Sequence, residues 1–201
     1  PILVGARLVI VPAWMESPDP NRVAIKIDPG MAFGTGTHPT TQLCLELIEK
    51  AITVLRLSNK EFRMIDIGCG SGILSIAALK LGATSALGVD IDSGSILNAR
   101  ENAQTNGLGD ELILGVGSVQ DILDRSFPFH KSQLVVANIL APVIIRLFDA
   151  GLADLMEKGG GIILSGILQE QAQGVIEAAQ AKGLRLNEQK QIGDWVALTM
   201  S

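Results

Sequence analysis

From residue 62 onward the chain repeats one unit: a short apolar run, a glycine-rich turn, and apolar residues at helical spacing. Residues 62–67 form the first run and Gly68 to Gly72 the first turn. Ile73, Leu74, Ala77, Ala78 and Leu81 then mark a helix that stops at Gly82. The pattern predicts further strands at 85–91, 111–116, 133–139 and 162–168, with helices at 93–106, 142–158 and 169–182. Two last strands, 184–191 and 195–200, are joined at Gly193-Asp194. Strand–helix alternation of this kind gives a parallel sheet covered on both faces. The expected fold class is therefore α/β, Rossmann-like: a mostly parallel seven-stranded sheet with an antiparallel edge strand and helices on both faces.

Ahead of that core, residues 1–28 read as a hairpin-like leading segment. Residues 7–12 and 22–27 are β-branched and alternating, with the turn cluster Ser17-Pro-Asp-Pro-Asn21 between them. Residues 29–60 hold a Gly/Thr/Pro loop and then a helix from Pro39, carried by Leu43, Leu47, Ile48 and Ala51. The 201 residues suit a single domain, and 47% hydrophobic content supplies its core. A net charge of −5 argues against nucleic acid held through phosphate contacts. No apolar run reaches the roughly 18–20 residues of a membrane span. Cys44 and Cys69 read as reduced cysteines of a cytoplasmic protein, and two histidines far apart supply no metal site.

The chemistry concentrates at strand ends. Asp66-Ile-Gly68-Cys-Gly70-Ser-Gly72 lets a ligand approach the backbone at a helix N-terminus. A dinucleotide turn wants G-x-G-x-x-G, and Ile73 stands where its last glycine belongs. Asp66 would repel a pyrophosphate but suits an ammonium, as on the methionine end of S-adenosylmethionine. Asp90 follows Gly68 by 22 residues, close to the roughly 20 expected of a ribose-binding carboxylate. Asp92 reads as the cap of the next helix. Asn138 ends the fourth strand, where its carboxamide oxygen can hold an amine N–H; capping the following helix is its alternative role. The closing pair of strands also matches an S-adenosylmethionine methyltransferase sheet better than a dinucleotide one.

The segment Asp28-Pro-Gly-Met-Ala-Phe-Gly-Thr-Gly-Thr-His-Pro-Thr-Thr41, the glycine turn, Val136-Ala-Asn-Ile-Leu-Ala141 and Leu164-Ser-Gly-Ile-Leu168 together resemble the PrmA family. These are bacterial methyltransferases of large-subunit ribosomal protein eleven, and the resemblance runs over nearly the whole chain. It implies S-adenosylmethionine as methyl donor, no metal, and N-methylation of lysine side chains and the amino terminus of that ribosomal protein. It also implies donor contacts at Thr41, Gly68, Asp90 and Asn138, with Phe33 to Thr37 forming a loop beside the donor. The family carries an amino-terminal recognition domain; this chain opens at what the resemblance makes the catalytic domain.

The candidate site is thus Asn138 as catalytic orienter, with Phe33, Thr37, Thr41, Asp66, Gly68, Gly70, Gly72, Asp90 and Asn138 around the donor. His38 has two readings, proton acceptor or loop-shaping residue. Trp195 reads as core packing rather than a substrate platform, and His130 as a surface residue. The competing functions are an N-methyltransferase of another protein or small amine, a nicotinamide-dependent oxidoreductase, and a non-catalytic donor-binding module.

Overall fold

The computed structural model describes residues 1–28, 36–58 and 61–201. Three strands lead: β1 (Ile2–Val4), β2 (Leu8–Pro12) and β3 (Val23–Ile27). Next come α1 (Pro39–Leu57), β4 (Arg63–Ile67), α2 (Ile73–Leu81), β5 (Ser85–Asp90), α3 (Ser93–Thr105) and β6 (Leu112–Val116). The chain continues through α4 (Val119–Leu123), β7 (Ser132–Asn138), α5 (Ala141–Asp149), β8 (Met156–Leu168), α6 (Ala172–Gln180), β9 (Leu186–Ile192) and β10 (Trp195–Met200). The large sheet has the order β6-β5-β4-β7-β8-β10-β9. Its strands are parallel except β10, which runs antiparallel to both its neighbours.

Strand side chains alternate between two cores. Met64, Ala86, Leu134 and Val136 face α1 and α2, with Leu45, Ile48, Ile76 and Ala77. Ile65, Leu87, Val135 and Leu164 face α4, α5 and α6, with Ile122, Ile144, Phe148 and Val175. The small leading sheet joins the first core through Val4, Leu8, Ile10, Ile25 and Ile27. It is anchored by Glu49 of α1, whose carboxylate accepts from the amides of Ala6 at 2.9 Å and Arg7 at 3.2 Å.

Three expectations need correction. The leading segment is not one hairpin of residues 7–12 with 22–27: β2 pairs antiparallel with β1, but parallel with β3. The turn cluster at 17–21 belongs to a crossover that brings the chain back to the start of the sheet. The helix expected at 142–158 ends at Asp149; Gly151 takes φ 104°, and β8 begins at Met156. The glycines at 159–161 therefore lie within a strand, beside a break in its register with β7. The antiparallel strand is not at the edge either: β10 fills the place between β8 and β9. Val196, Ala197 and Leu198 of β10 are fully buried, whereas β9 carries Asn187-Glu-Gln-Lys-Gln191 and suits an exposed edge.

Candidate active site

The carboxyl ends of β4, β5, β6, β7 and β8 open on one cleft of 590 Å³. In an open parallel sheet this is where ligands bind, at the point where the strand order reverses between β4 and β7. The turn after β4 forms its floor. Gly68, Gly70 and Gly72 all take left-handed backbone angles, with φ of 69°, 53° and 80°, which side chains disfavour. The Cys69 amide donates to the Val89 carbonyl at 2.9 Å, and Asn102 of α3 donates to the Ser71 carbonyl at 2.9 Å. The turn is thereby fixed against β5 and α3 before any ligand arrives.

Asp66 lines the cleft yet is only 1% exposed. Burial pushes its carboxyl up to about 7, the Ser75 hydroxyl donating at 2.8 Å opposes that, and the charge of Asp90 adds to the rise. A positive charge placed beside this carboxyl would lower that value again. The Asp90 carboxylate accepts from Gly70 N–H through Oδ2 and from Asp92 N–H through Oδ1, both at 3.0 Å. Each oxygen keeps acceptor capacity toward the cleft. Asp92 caps α3, accepting from the amides of Gly94 and Ser95 at 3.2 Å. These bonds, with the Ser95 hydroxyl, hold its pKa below the ordinary range.

Asn138 stands at the end of β7, half-buried and lining the cleft. Its carboxamide makes no hydrogen bond among the described residues, and the N-cap of α5 is Leu140. The helix-cap role is therefore not the one it plays. Thr41 is buried and lines the cleft beside Thr40. Gly72 stands behind the turn instead: it is the N-cap of α2, and a Cβ there would meet the Cβ of Ala99 at 3.0 Å. Thr37 is not among the lining residues, and Phe33 lies outside the described residues.

The cleft also takes in residues that sequence reasoning did not assign to it. His38 caps α1, its Nδ1 accepting from Thr40 N–H at 3.2 Å and lying 2.7 Å from the Thr40 hydroxyl. This N-cap contact supports the loop-shaping reading of His38. Trp195 lines the cleft and meets the His38 ring edge-on, 4.8 Å between centroids; it is a wall of the site rather than core packing. Gly117 and Ser118 after β6 and Gly166 in β8 complete the lining with Ile139, Leu140 and Val143. The rule that found Asp90 and Asn138, the carboxyl end of a parallel strand, also points to Gly117, Ser118 and Gly166. Both thiols are buried, and burial raises the pKa of Cys44 and of Cys69. Among the described residues no group of three or more His, Cys, Asp or Glu is placed to hold a metal ion. No helix there is long and apolar enough to cross a membrane.

A seven-stranded sheet in this order, with a ligand cleft on a glycine turn flanked by two acids, defines a Rossmann-like methyltransferase domain. The chain belongs to the ribosomal protein L11 methyltransferase (PrmA) family, whose profile matches residues 1–201. The ribosomal protein L11 methyltransferase of Mannheimia succiniciproducens is 50% identical over 183 residues, covering 90% of this chain and 58% of its own length. That of Pectobacterium atrosepticum is 46% identical over 200 residues, covering 99% of this chain and 63% of its own length. This chain thus spans about three-fifths of the length of these relatives. The crystal structure of a ribosomal protein L11 methylase from Lactobacillus delbrueckii subsp. bulgaricus superposes with a TM-score of 0.84 at 33% identity. The match covers 100% of this chain and 96% of that one.

Proposed function

We propose that this chain is the catalytic domain of a protein N-methyltransferase. It binds S-adenosylmethionine in the cleft and methylates lysine side chains and the amino terminus of ribosomal protein L11, in the cytoplasm. The observation that carries this reading is the pairing of Asp66 and Asp90 around the glycine turn. Two acids lining one cleft, one of them buried, fit a positively charged nucleoside with a free ammonium. They do not fit a pyrophosphate. When bound, the donor supplies a methyl group on a sulfonium, which needs no further activation by the protein.

The chain's residues then have distinct tasks. Asp66 faces the ammonium, and Asp90 accepts from the ribose hydroxyls beside the glycine turn. Thr41 closes the same end of the cleft. A lysine must arrive as a free amine, because an ammonium has no lone pair. The Asn138 carboxamide oxygen accepts one amine N–H and so aims the lone pair at the methyl group. Trp195 and Leu140 wall the passage along which an aliphatic side chain reaches it. Rate comes from orientation in a partly dehydrated cleft rather than from covalent help.

The test is mass spectrometry of ribosomal protein L11 after incubation with this chain and the donor. Mass increments of one methyl group on lysines or on the amino terminus are expected. Transfer to neither, by a chain that binds S-adenosylhomocysteine, sinks the substrate assignment.

A further inference from the structure

The sequence motif Leu164-Ser-Gly-Ile-Leu168 has so far given the site only the Gly166 lining, yet that glycine also touches the strand end that carries Asn138. Gly166 takes φ 85° within β8. The pairing of β10 with β8 slips there: Leu198 opposes Leu164 and Val196 opposes Ile167, so Ser165 and Gly166 together face Ala197. This is a β-bulge with a left-handed glycine, a device that bends a strand and re-aims what lies beside it.

Ile139 lies beside it. A Cβ on Gly166 would overlap the Ile139 carbonyl oxygen, and it would fall 2.7 Å from the carbonyl carbon and 3.0 Å from the nitrogen. Backbone cannot swing aside as a side-chain tip can. On its other side, Ile139 presses on the donor turn: a Cβ on Gly68 would lie 2.5 Å from Ile139 Cγ2. The Ile139 amide donates to the Ser165 carbonyl at 3.1 Å, and Asn138 is in register with Ser165. The Ser165 hydroxyl is itself tied to the Val196 carbonyl at 2.8 Å.

We infer that Gly68 and Gly166 form a clamp on Ile139 that sets the distance between the donor turn and the Asn138 carboxamide. Gly166 is thus a positioning residue for methyl transfer. It acts through Ile139 on the group that aims the amine, and its left-handed bulge lets the two strand ends approach closely enough. The inference rests on the methyl-transfer reading above, but the clamp has a readout of its own.

The experiment compares Gly166→Ala with Gly183→Ala. Gly183 takes φ 86°, and a Cβ there would meet nothing within 4 Å, so this control carries the same left-handed backbone cost without the contact. Hydrogen exchange of the Ile139 amide is expected to speed up by about tenfold or more in Gly166→Ala and to stay unchanged in the control. Turnover on ribosomal protein L11 should fall by about 10- to 100-fold, with S-adenosylhomocysteine affinity held within about threefold, since misplacement of a reacting group costs rate before binding. Exchange and turnover like those of the control overturn the clamp, and so does an equal loss of turnover and affinity. Should Gly166→Ala fail to fold, Ile139→Ala loosens the same contact from the other side and carries the same expectation for turnover against affinity. If the parent chain transfers no methyl at all, the functional reading fails, and Ile139 exchange still decides the clamp.

Discussion

The Gly70 amide donates to Asp90 Oδ2 at 3.0 Å, joining the glycine turn of β4 to the acid at the end of β5. With the Asp92 amide on its other oxygen, the Asp90 carboxylate is held by two backbone groups and directed at the cleft. A ligand hydroxyl reaching Asp90 would meet an acceptor that is already oriented, with little ordering entropy lost on binding.

Asp90→Ala should accordingly weaken S-adenosylhomocysteine binding by about 1–3 kcal/mol, because hydroxyl partners and two amides lose their acceptor together. Asp90→Asn, which keeps one acceptor oxygen, should lose less. Calorimetric titration of the three proteins measures this, and equal affinities would remove Asp90 from the ribose site.

Asp66 gives the site a pH dependence with a definite sign. Its carboxyl titrates at about 7 in the folded chain against 3.8 as an unperturbed group. Between those values the folded state holds a proton that the unfolded state has released, so stability falls as pH rises from about 4 to about 7. A ligand ammonium favours the ionised carboxylate, so donor affinity should climb over the same upper range, by at most about tenfold per pH unit, and level off above it. Titrations with S-adenosylhomocysteine between pH 5.5 and 7.5 should show the climb in the parent and a flat profile in Asp66→Asn. A parent profile as flat as the variant's would exclude the ammonium contact.

Much of this site was legible because its chemistry sits at strand ends. The spacing from Gly68 to Asp90 and the apolar run into Asn138 locate the cleft without any knowledge of packing. What the pattern could not reveal depends on side chains brought together from distant segments. Trp195 looked like core because its strand is apolar, yet as the first residue of β10 it meets His38, which caps α1. The Gly159-Gly-Gly161 run looked like a helix stop because glycines usually end helices. Here the helix had already ended near Gly151, and the glycines pass through a break in strand register. Parallel pairing of β2 with β3 was hidden because the turn signals at 17–21 say that the chain bends, not where the next strand lands.

The leading sheet depends on one buried acid. Glu49 is 8% exposed and accepts from the amides of Ala6 and Arg7 in the β1–β2 turn. Arg22 holds the same turn from the other side, donating to the carbonyls of Gly5 at 3.0 Å and Leu8 at 2.9 Å. Glu49→Ala leaves two amides without their acceptor and should lower unfolding free energy by about 1–3 kcal/mol, with Glu49→Gln in between. Denaturant midpoints at a constant slope check the order. A midpoint for Glu49→Ala equal to the parent's would show that the turn does not depend on Glu49.

Asn138 separates an enzyme from a module that merely binds the donor. Its carboxamide has no hydrogen-bond partner among the described residues and lines the cleft, so removing it leaves none of those residues unpaired and should cost little stability. If the oxygen aims the attacking amine, part of its contact exists only in the transition state, and Asn138→Ala should lower turnover by more than it weakens donor binding. A loss of about 10²-fold or more in turnover is the expected scale for a group that fixes attack geometry. Asn138→Asp is a second, harsher substitution: it keeps the acceptor, but its negative charge favours the ammonium form of the substrate and so removes the lone pair that must attack. The comparison needs saturating donor and a high concentration of ribosomal protein L11, with donor affinity measured on the same samples. Turnover and affinity falling by one common factor would make Asn138 a donor contact only. If neither changes, the catalytic reading of the β7 end is lost.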